Sequence, residues 1–103
     1  MGYYDVHRNT NPRTRARVPF LVDVQIDTLA ATPLRVVVPL LRAGGINPVS
    51  PLNPAFTILD MPVILAPQEI AGVPTTLLGP AVASLLGERD RILRAIDFVL
   101  TGA

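Results

Sequence analysis

GERDRILRAIDFVLTGA, residues 87–103, is the stretch that decides the fold, because it is the one long segment with a helical period and no proline. Ile92, Leu93, Ile96, Val99 and Leu100 recur at spacings of three and four, which puts them on one apolar stripe of an α-helix, with Arg91, Arg94 and Asp97 towards the other side. Glu88 and Asp90 stand where that helix should begin and Gly102 where it should stop. Acid thus lies at the positive end of the dipole, and a residue tolerant of left-handed geometry at the other. The helix end offers Leu100, Thr101, Gly102 and the carboxylate of Ala103 to whatever it meets.

Upstream of the helix the chain is of another kind. All eleven prolines fall between Pro12 and Pro80, and proline breaks helix interiors. The proline-free window 20–32 opens with strict alternation. Phe20, Val22, Val24 and Ile26 share one face and Leu21, Asp23, Gln25 and Asp27 the other, the pattern of a half-buried antiparallel strand. Tyr3 to Arg8 reads as a short first strand, and HRNTNPRTRAR, residues 7–17, as a polar, hairpin-like connection. LRVVVPLL, residues 34–41, is a β-branched run whose Pro39 predicts an edge position or a bulge. RAGGINPVSPLNP, residues 42–54, reads as an ordered surface loop. Short strands are expected at 55–59, 63–66 and 75–78, and a helical turn at 80–86. The expected architecture is mainly β with one C-terminal helix: a small, strongly twisted antiparallel sheet or SH3-like, partly open barrel.

A chain of 103 residues predicts a single domain over residues 1–103. Half the residues are hydrophobic and mean hydropathy is +0.43, yet charge or proline interrupts every apolar run before it reaches the length of a membrane span. So small an interior cannot bury that many aliphatic side chains, which predicts a homodimer with a self-complementary apolar face. Net charge is +1, so no strong field favours nucleic acid. The absence of cysteine excludes disulfides and thiolate chemistry. The start MGYYDVHR lacks the apolar core of a secretory signal, and the expected location is the cytoplasm.

Little in the sequence promises bond-breaking chemistry. His7 is the sole histidine and has no cysteine or lysine to work with, so it reads as a solvated residue at a loop edge. Asp23 and Asp27 are four residues apart on a strand, roughly 13 Å, too far to share an acid–base task, and read as solvent-facing acids. Gly44 and Gly45 are turn residues outside any phosphate-binding pattern. No catalytic residue, metal site or cofactor is expected. Arg8, Arg13, Arg15 and Arg17 fall within ten residues; the cluster suits either an acidic protein segment or RNA phosphates, against the plainer reading of a solvated hairpin.

Several strings, in order and with matching spacing, resemble the CcdB family of toxins, which poison DNA gyrase. FLVDVQID at Phe20–Asp27 is similar to the family's F-V-D-V-Q strand, and RVVVPLL at Arg35–Leu41 to its R-x-x-V-I-P-L strand. Val73-Pro74 with Gly79 and Val82-Ala83 resembles its V-P-x-x-x-x-G-x-x-V-A segment. The resemblance implies a CcdB/MazF-like fold, a homodimer, and a toxin of a type II toxin–antitoxin system that binds the gyrase A subunit without being an enzyme. It also implies removal by a cognate CcdA-like antitoxin and a role in plasmid maintenance. Carried over by position, the gyrase-binding residues would be Thr28, Leu29, Asp97, Leu100, Thr101, Gly102 and Ala103. The family's antitoxin uses the general region of the arginine cluster, so Arg8, Arg13, Arg15 and Arg17, with the Gly/Pro loop after Arg42, are the expected antitoxin-binding residues. The family's best-known members end in Trp-Gly-Ile, where this chain has Thr101-Gly102-Ala103. Two alternatives accompany the expectation: a CcdB-like antitoxin-binding or immunity module without gyrase poisoning, and a MazF-type endoribonuclease relying on the loop arginines and Arg35.

Overall fold

A computed structural model describes residues 3–26 and 33–102. Those residues form β1 (Asp5–Asn9), β2 (Phe20–Asp23), β3 (Leu34–Arg42), β4 (Ala55–Ile58), β5 (Met61–Leu65), β6 (Ala71–Pro74), β7 (Leu78–Ser84) and α1 (Arg89–Thr101). All pairings are antiparallel, in the order β4-β5-β3-β2-β1-β7, with β6 also on β3. The result is a curled half-barrel sheet with one C-terminal helix, the mainly β architecture that the sequence predicts.

The curl originates in β3, which carries two neighbours along one edge. β5 lies opposite Leu40–Arg42 and β6 opposite Leu34–Val37. Pro39 sits in the interval between them. Its carbonyl accepts the Ala66 N–H at 3.0 Å, and the N–H that proline lacks would point to that same edge, where neither β5 nor β6 has a ladder partner for it. The expectation of an edge strand or bulge is therefore corrected: β3 is central, and its proline is tolerated at a break between two neighbours.

Both faces of the sheet carry a core. Tyr4, Val6, Phe20, Val22, Val38, Leu40 and Leu65 pack with Ile92 and Ala95 of α1 on one face. Val18, Leu21, Val37, Leu41 and Ala66 form the core of the other. Consequently all four residues of β2 are buried, and the alternation read over 20–27 does not correspond to a dry face and a wet one. The regular strand also ends at Asp23 rather than Asp27.

α1 forms where its period and its cap require. Gly102 adopts φ +75° and donates its N–H to the Phe98 carbonyl at 2.9 Å, the left-handed stop that spares a Cβ penalty. Its stripe is rotated from the one read in the sequence. Ile92 and Ala95 are fully buried and Ile96 packs against the core, but Leu93, Val99 and Leu100 are exposed.

Two local expectations are corrected. Residues 80–86 were expected as a helical turn, but Leu78–Ser84 is drawn into strand β7 by β1, with register shifts on either side of His7. Residues 75–77 are a 3-10 turn and not a strand, and β6 has too little alternation to announce itself. Gly79 permits the close approach of β7: a Cβ there would stand 3.0 Å from the Arg8 carbonyl oxygen and 3.1 Å from Arg8 Cβ. The β4–β5 hairpin turns on Leu59 and Asp60, both at positive φ (49° and 65°), the mirror-image turn whose twist suits flanking strands.

Candidate functional site

Asn9 builds the arginine-bearing loop between β1 and β2. Its Nδ2 donates to Thr14 Oγ1 at 2.9 Å and to the Val18 carbonyl at 2.8 Å, while its Oδ1 accepts the Asn11 N–H at 3.0 Å. Consecutive turns follow, with the Arg15 N–H on the Asn11 carbonyl and the Val18 N–H on the Thr14 carbonyl. The loop is thus tied to its own stem and presents its arginines in fixed directions.

Those directions divide the four arginines. Arg8 and Arg15 line a cleft of about 460 Å³ together with Arg42, Phe20, Met61 and Pro80. The Arg8 guanidinium lies 5.8 Å from the Phe20 ring centroid. Arg42 donates from Nε to the Ala16 carbonyl at 2.7 Å, which holds it against the loop. Among the described residues no acid lines this cleft, so three guanidiniums and an apolar floor face a common space, an arrangement suited to carboxylates on an amphipathic segment. Arg17 faces elsewhere and is engaged, giving Glu69 a bidentate pair at 3.0 and 2.7 Å. Hydrogen bonding to Arg17 holds the Glu69 carboxyl below its usual range. Arg13 is exposed on the loop and outside the cleft. Arg42 was missed as a site residue. Its signal was the pairing of the two strands: Phe20 lies opposite Leu40, which carries Arg42 up beside the loop's stem.

Asp23 and His7, which read as solvated in the sequence, are buried. Asp23 and Arg35 are both 0% exposed and pair at 2.8 Å through Nη2 and 2.9 Å through Nε. Asp23 lies opposite Val37 of β3, two residues along that strand from Arg35. Gln25 joins them: its carbonyl accepts Arg35 Nη2 at 3.1 Å, its N–H meets Asp23 Oδ1 at 3.0 Å, and its Oε1 accepts the Val36 N–H at 3.0 Å. The network fixes the backbone as it leaves β2. His7 is likewise buried within β1, its Nδ1 2.9 Å from the Gly79 carbonyl.

At the far end of α1, Thr101 Oγ1 donates to the Asp97 carbonyl at 2.8 Å. Leu100 is 72% exposed. Asp97 makes no ion pair among the described residues and stands in the last turn, where no basic residue offsets the negative end of the dipole.

A family model for the CcdB protein matches residues 3–102. The chain belongs to the CcdB family. Membership makes it a CcdB-like toxin of a toxin–antitoxin system and accounts for the half-barrel with its terminal helix. Comparison with curated proteins returns no match. Of the positions that the CcdB resemblance implies for gyrase, Asp97, Leu100, Thr101 and Gly102 cluster at the helix end, whereas Thr28, Leu29 and Ala103 lie outside the described residues. Among the described residues no helix is long and apolar enough to cross a membrane, and no group of histidines and carboxylates could hold a metal.

Proposed function

We propose that this CcdB-family toxin acts by binding, as a homodimer, to the A subunit of DNA gyrase, and that a cognate CcdA-like antitoxin neutralises it in the cytoplasm. The observation that carries the gyrase reading is the end of α1. An exposed leucine beside an acid that meets an unfavourable dipole is destabilising in the free protein, by about 0.3–1 kcal/mol for the acid alone. A partner that supplies a pocket and a cation relieves both. Ala103, and Thr28 and Leu29 from the segment after β2, complete the proposed contact.

The homodimer reading rests on an apolar outer surface. Leu34 and Val36 are exposed on β3, and their register partners Pro74 and Gly72 on β6 share that face, with exposed Ile70 just before them. A second copy is the natural cover for such a surface in a single small chain. The endoribonuclease alternative loses one of its two supports, since Arg35 is enclosed by Asp23.

The test uses the chain's own host gyrase and an enteric gyrase A fragment. The purified protein is expected to sediment at twice 11.1 kDa and to inhibit supercoiling by its host enzyme. The family's terminal tryptophan is missing, and such interface anchors commonly contribute about 2 kcal/mol or more. Binding to the enteric fragment is therefore weak, and Thr101→Trp with Ala103→Ile should tighten it by at least ~10-fold, about 1.4 kcal/mol. A folded, dimeric double variant with no gain refutes the tail as a gyrase contact and favours the immunity-module alternative.

For the antitoxin, the proposed site is the loop carrying Arg8, Arg13, Arg15 and Arg17, with its centre in the three-arginine cleft. Reversing Arg8 and Arg15 to glutamate should weaken the complex several-fold more than reversing Arg13, and more so at low salt than at high. Equal effects from all three, measured by calorimetry with the antitoxin, would reduce the cleft to a diffuse charge effect.

A further inference from the structure

Among the described residues β4 ends the sheet, with β5 as its one neighbour in the strand order. Its open edge is aimed at α1. The Ala55 carbonyl points away from β5 and meets Arg91 Nη2 at 3.4 Å. Residues two apart in a strand direct their N–H and C=O to the same edge, so Thr57 presents an outward donor and acceptor as well.

Two clefts meet at Arg91. One, of about 200 Å³, is walled by Ser50, Pro51, Asn53 and Pro54 on one side and by Arg91 and Arg94 on the other. The second, of about 380 Å³, continues past Ala55, Phe56 and Thr57 of β4 and spreads over Pro62, Val63 and Ile64 of β5 as far as Ala43. The walls are held in place. Asn53 donates to the Leu65 carbonyl at 3.0 Å and to Gln68 Oε1 at 3.2 Å, and its Oδ1 accepts the Val49 N–H at 3.1 Å. Arg91 lies over the Phe56 ring, 4.7 Å from its centroid, and pairs with Glu88 at 3.2 Å. Arg94 makes no ion pair among the described residues. The cleft along β4 is therefore electrically balanced by Glu88 and Arg91, and the cleft at its end carries an unmatched cation.

We propose that this composite groove binds an extended acidic segment of a partner protein, which adds as a strand to the open edge of β4 and places a carboxylate between Arg91 and Arg94. The 3.4 Å contact on the Ala55 carbonyl is at the weak limit for a hydrogen bond and yields to the N–H of an incoming strand, which frees the Arg91 fork for the carboxylate. Backbone pairing supplies affinity and the single cationic end sets direction. The groove shares no lining residue with the cleft of Arg8, Arg15 and Arg42, and the proposal stands whether or not gyrase is the target.

The test is an isotope-edited NMR titration of the full chain with a short capped peptide alternating glutamate with valine and threonine, run beside its glutamine counterpart and inorganic phosphate. Amide shifts are expected at Ala55, Thr57 and Arg94 with the acidic peptide, with the glutamine version at least ~10-fold weaker. Arg94→Glu, a surface change that leaves the fold alone, should weaken the acidic peptide by a similar ~10-fold. Thr57→Pro, which removes a donor outside the β4–β5 ladder, should abolish the β4 shifts, while Arg8→Glu should leave the β4 shifts in place. The proposal is overturned if phosphate alone reproduces the shifts, if the peptide leaves β4 unmoved, or if Arg94→Glu binds like the parent.

Discussion

Arg35→Met is expected to lower the free energy of unfolding by about 3–5 kcal/mol, the usual cost of removing one partner from a buried ion pair. The reason lies in what stays behind. Asp23 is 0% exposed, and without the guanidinium its carboxylate keeps only the Gln25 N–H at 3.0 Å among the bonds described for it. A domain of this size has on the order of 5–15 kcal/mol in total, so urea denaturation should show the variant close to its folding limit. The double change Asp23→Leu with Arg35→Met should recover most of the loss, since it leaves no orphaned charge. Arg35 Nη1 is buried without a partner among the described residues, so an apolar replacement of the pair forfeits little. A single-variant loss below about 1 kcal/mol, the range of exposed pairs, would show that water reaches the pair.

Ile92→Ala should cost about 2–5 kcal/mol, as large-to-small changes in a packed core do. Ile92 is fully enclosed where α1 meets the sheet core of Val22, Val38 and Leu40, and the helix has few other deep anchors: Ala95 is small and Ile96 only partly covered. Leu93→Ala and Leu100→Ala, on the outer side, should shift stability by no more than about 0.5 kcal/mol. Chemical denaturation separates the two classes, and equal losses at Ile92 and Leu93 would mean that the helix is seated differently. Since α1 carries the Leu100–Gly102 tip, Ile92→Ala should also weaken partner binding through that tip, whereas Leu100→Ala should do so with the fold intact.

What was legible in the sequence follows from how local each determinant is. α1 was readable because its period, acidic start and glycine stop all lie within its own residues, and the existence of β2 to β5 was readable from runs punctuated by proline and glycine, though not their order in the sheet. Which stripe of the helix faces inward was not, because Leu93 and Val99 are as apolar as Ile92 and only the docked sheet chooses between them. Asp23 was misread for a similar reason: in sequence it occupies the polar beat of an alternating strand, and its burial depends on Arg35, twelve residues on. His7 reads as polar until Gly79 supplies an acceptor from β7. The loop arginines were visible as a cluster, but their division between an open cleft and Glu69 depends on the Asn9 hydrogen bonds and on Arg42 arriving from a third strand.

The pairing of β1 with β7 bears on how the chain reaches this structure. Asp5 lies opposite Ser84 and His7 opposite Ala81, so the outer edge of the first strand is closed by the last one. Loops that long are slow to close, and sheets dominated by such distant pairings fold slowly. During synthesis β1, β2 and β3 can pair while β7 and α1 are still within the ribosome. Over that interval the nascent chain exposes an unpaired strand edge and the apolar face later covered by Ile92 and Ala95. The growing polypeptide is thus adhesive until β7 and α1 emerge and supply the strand and the helix that end that exposure.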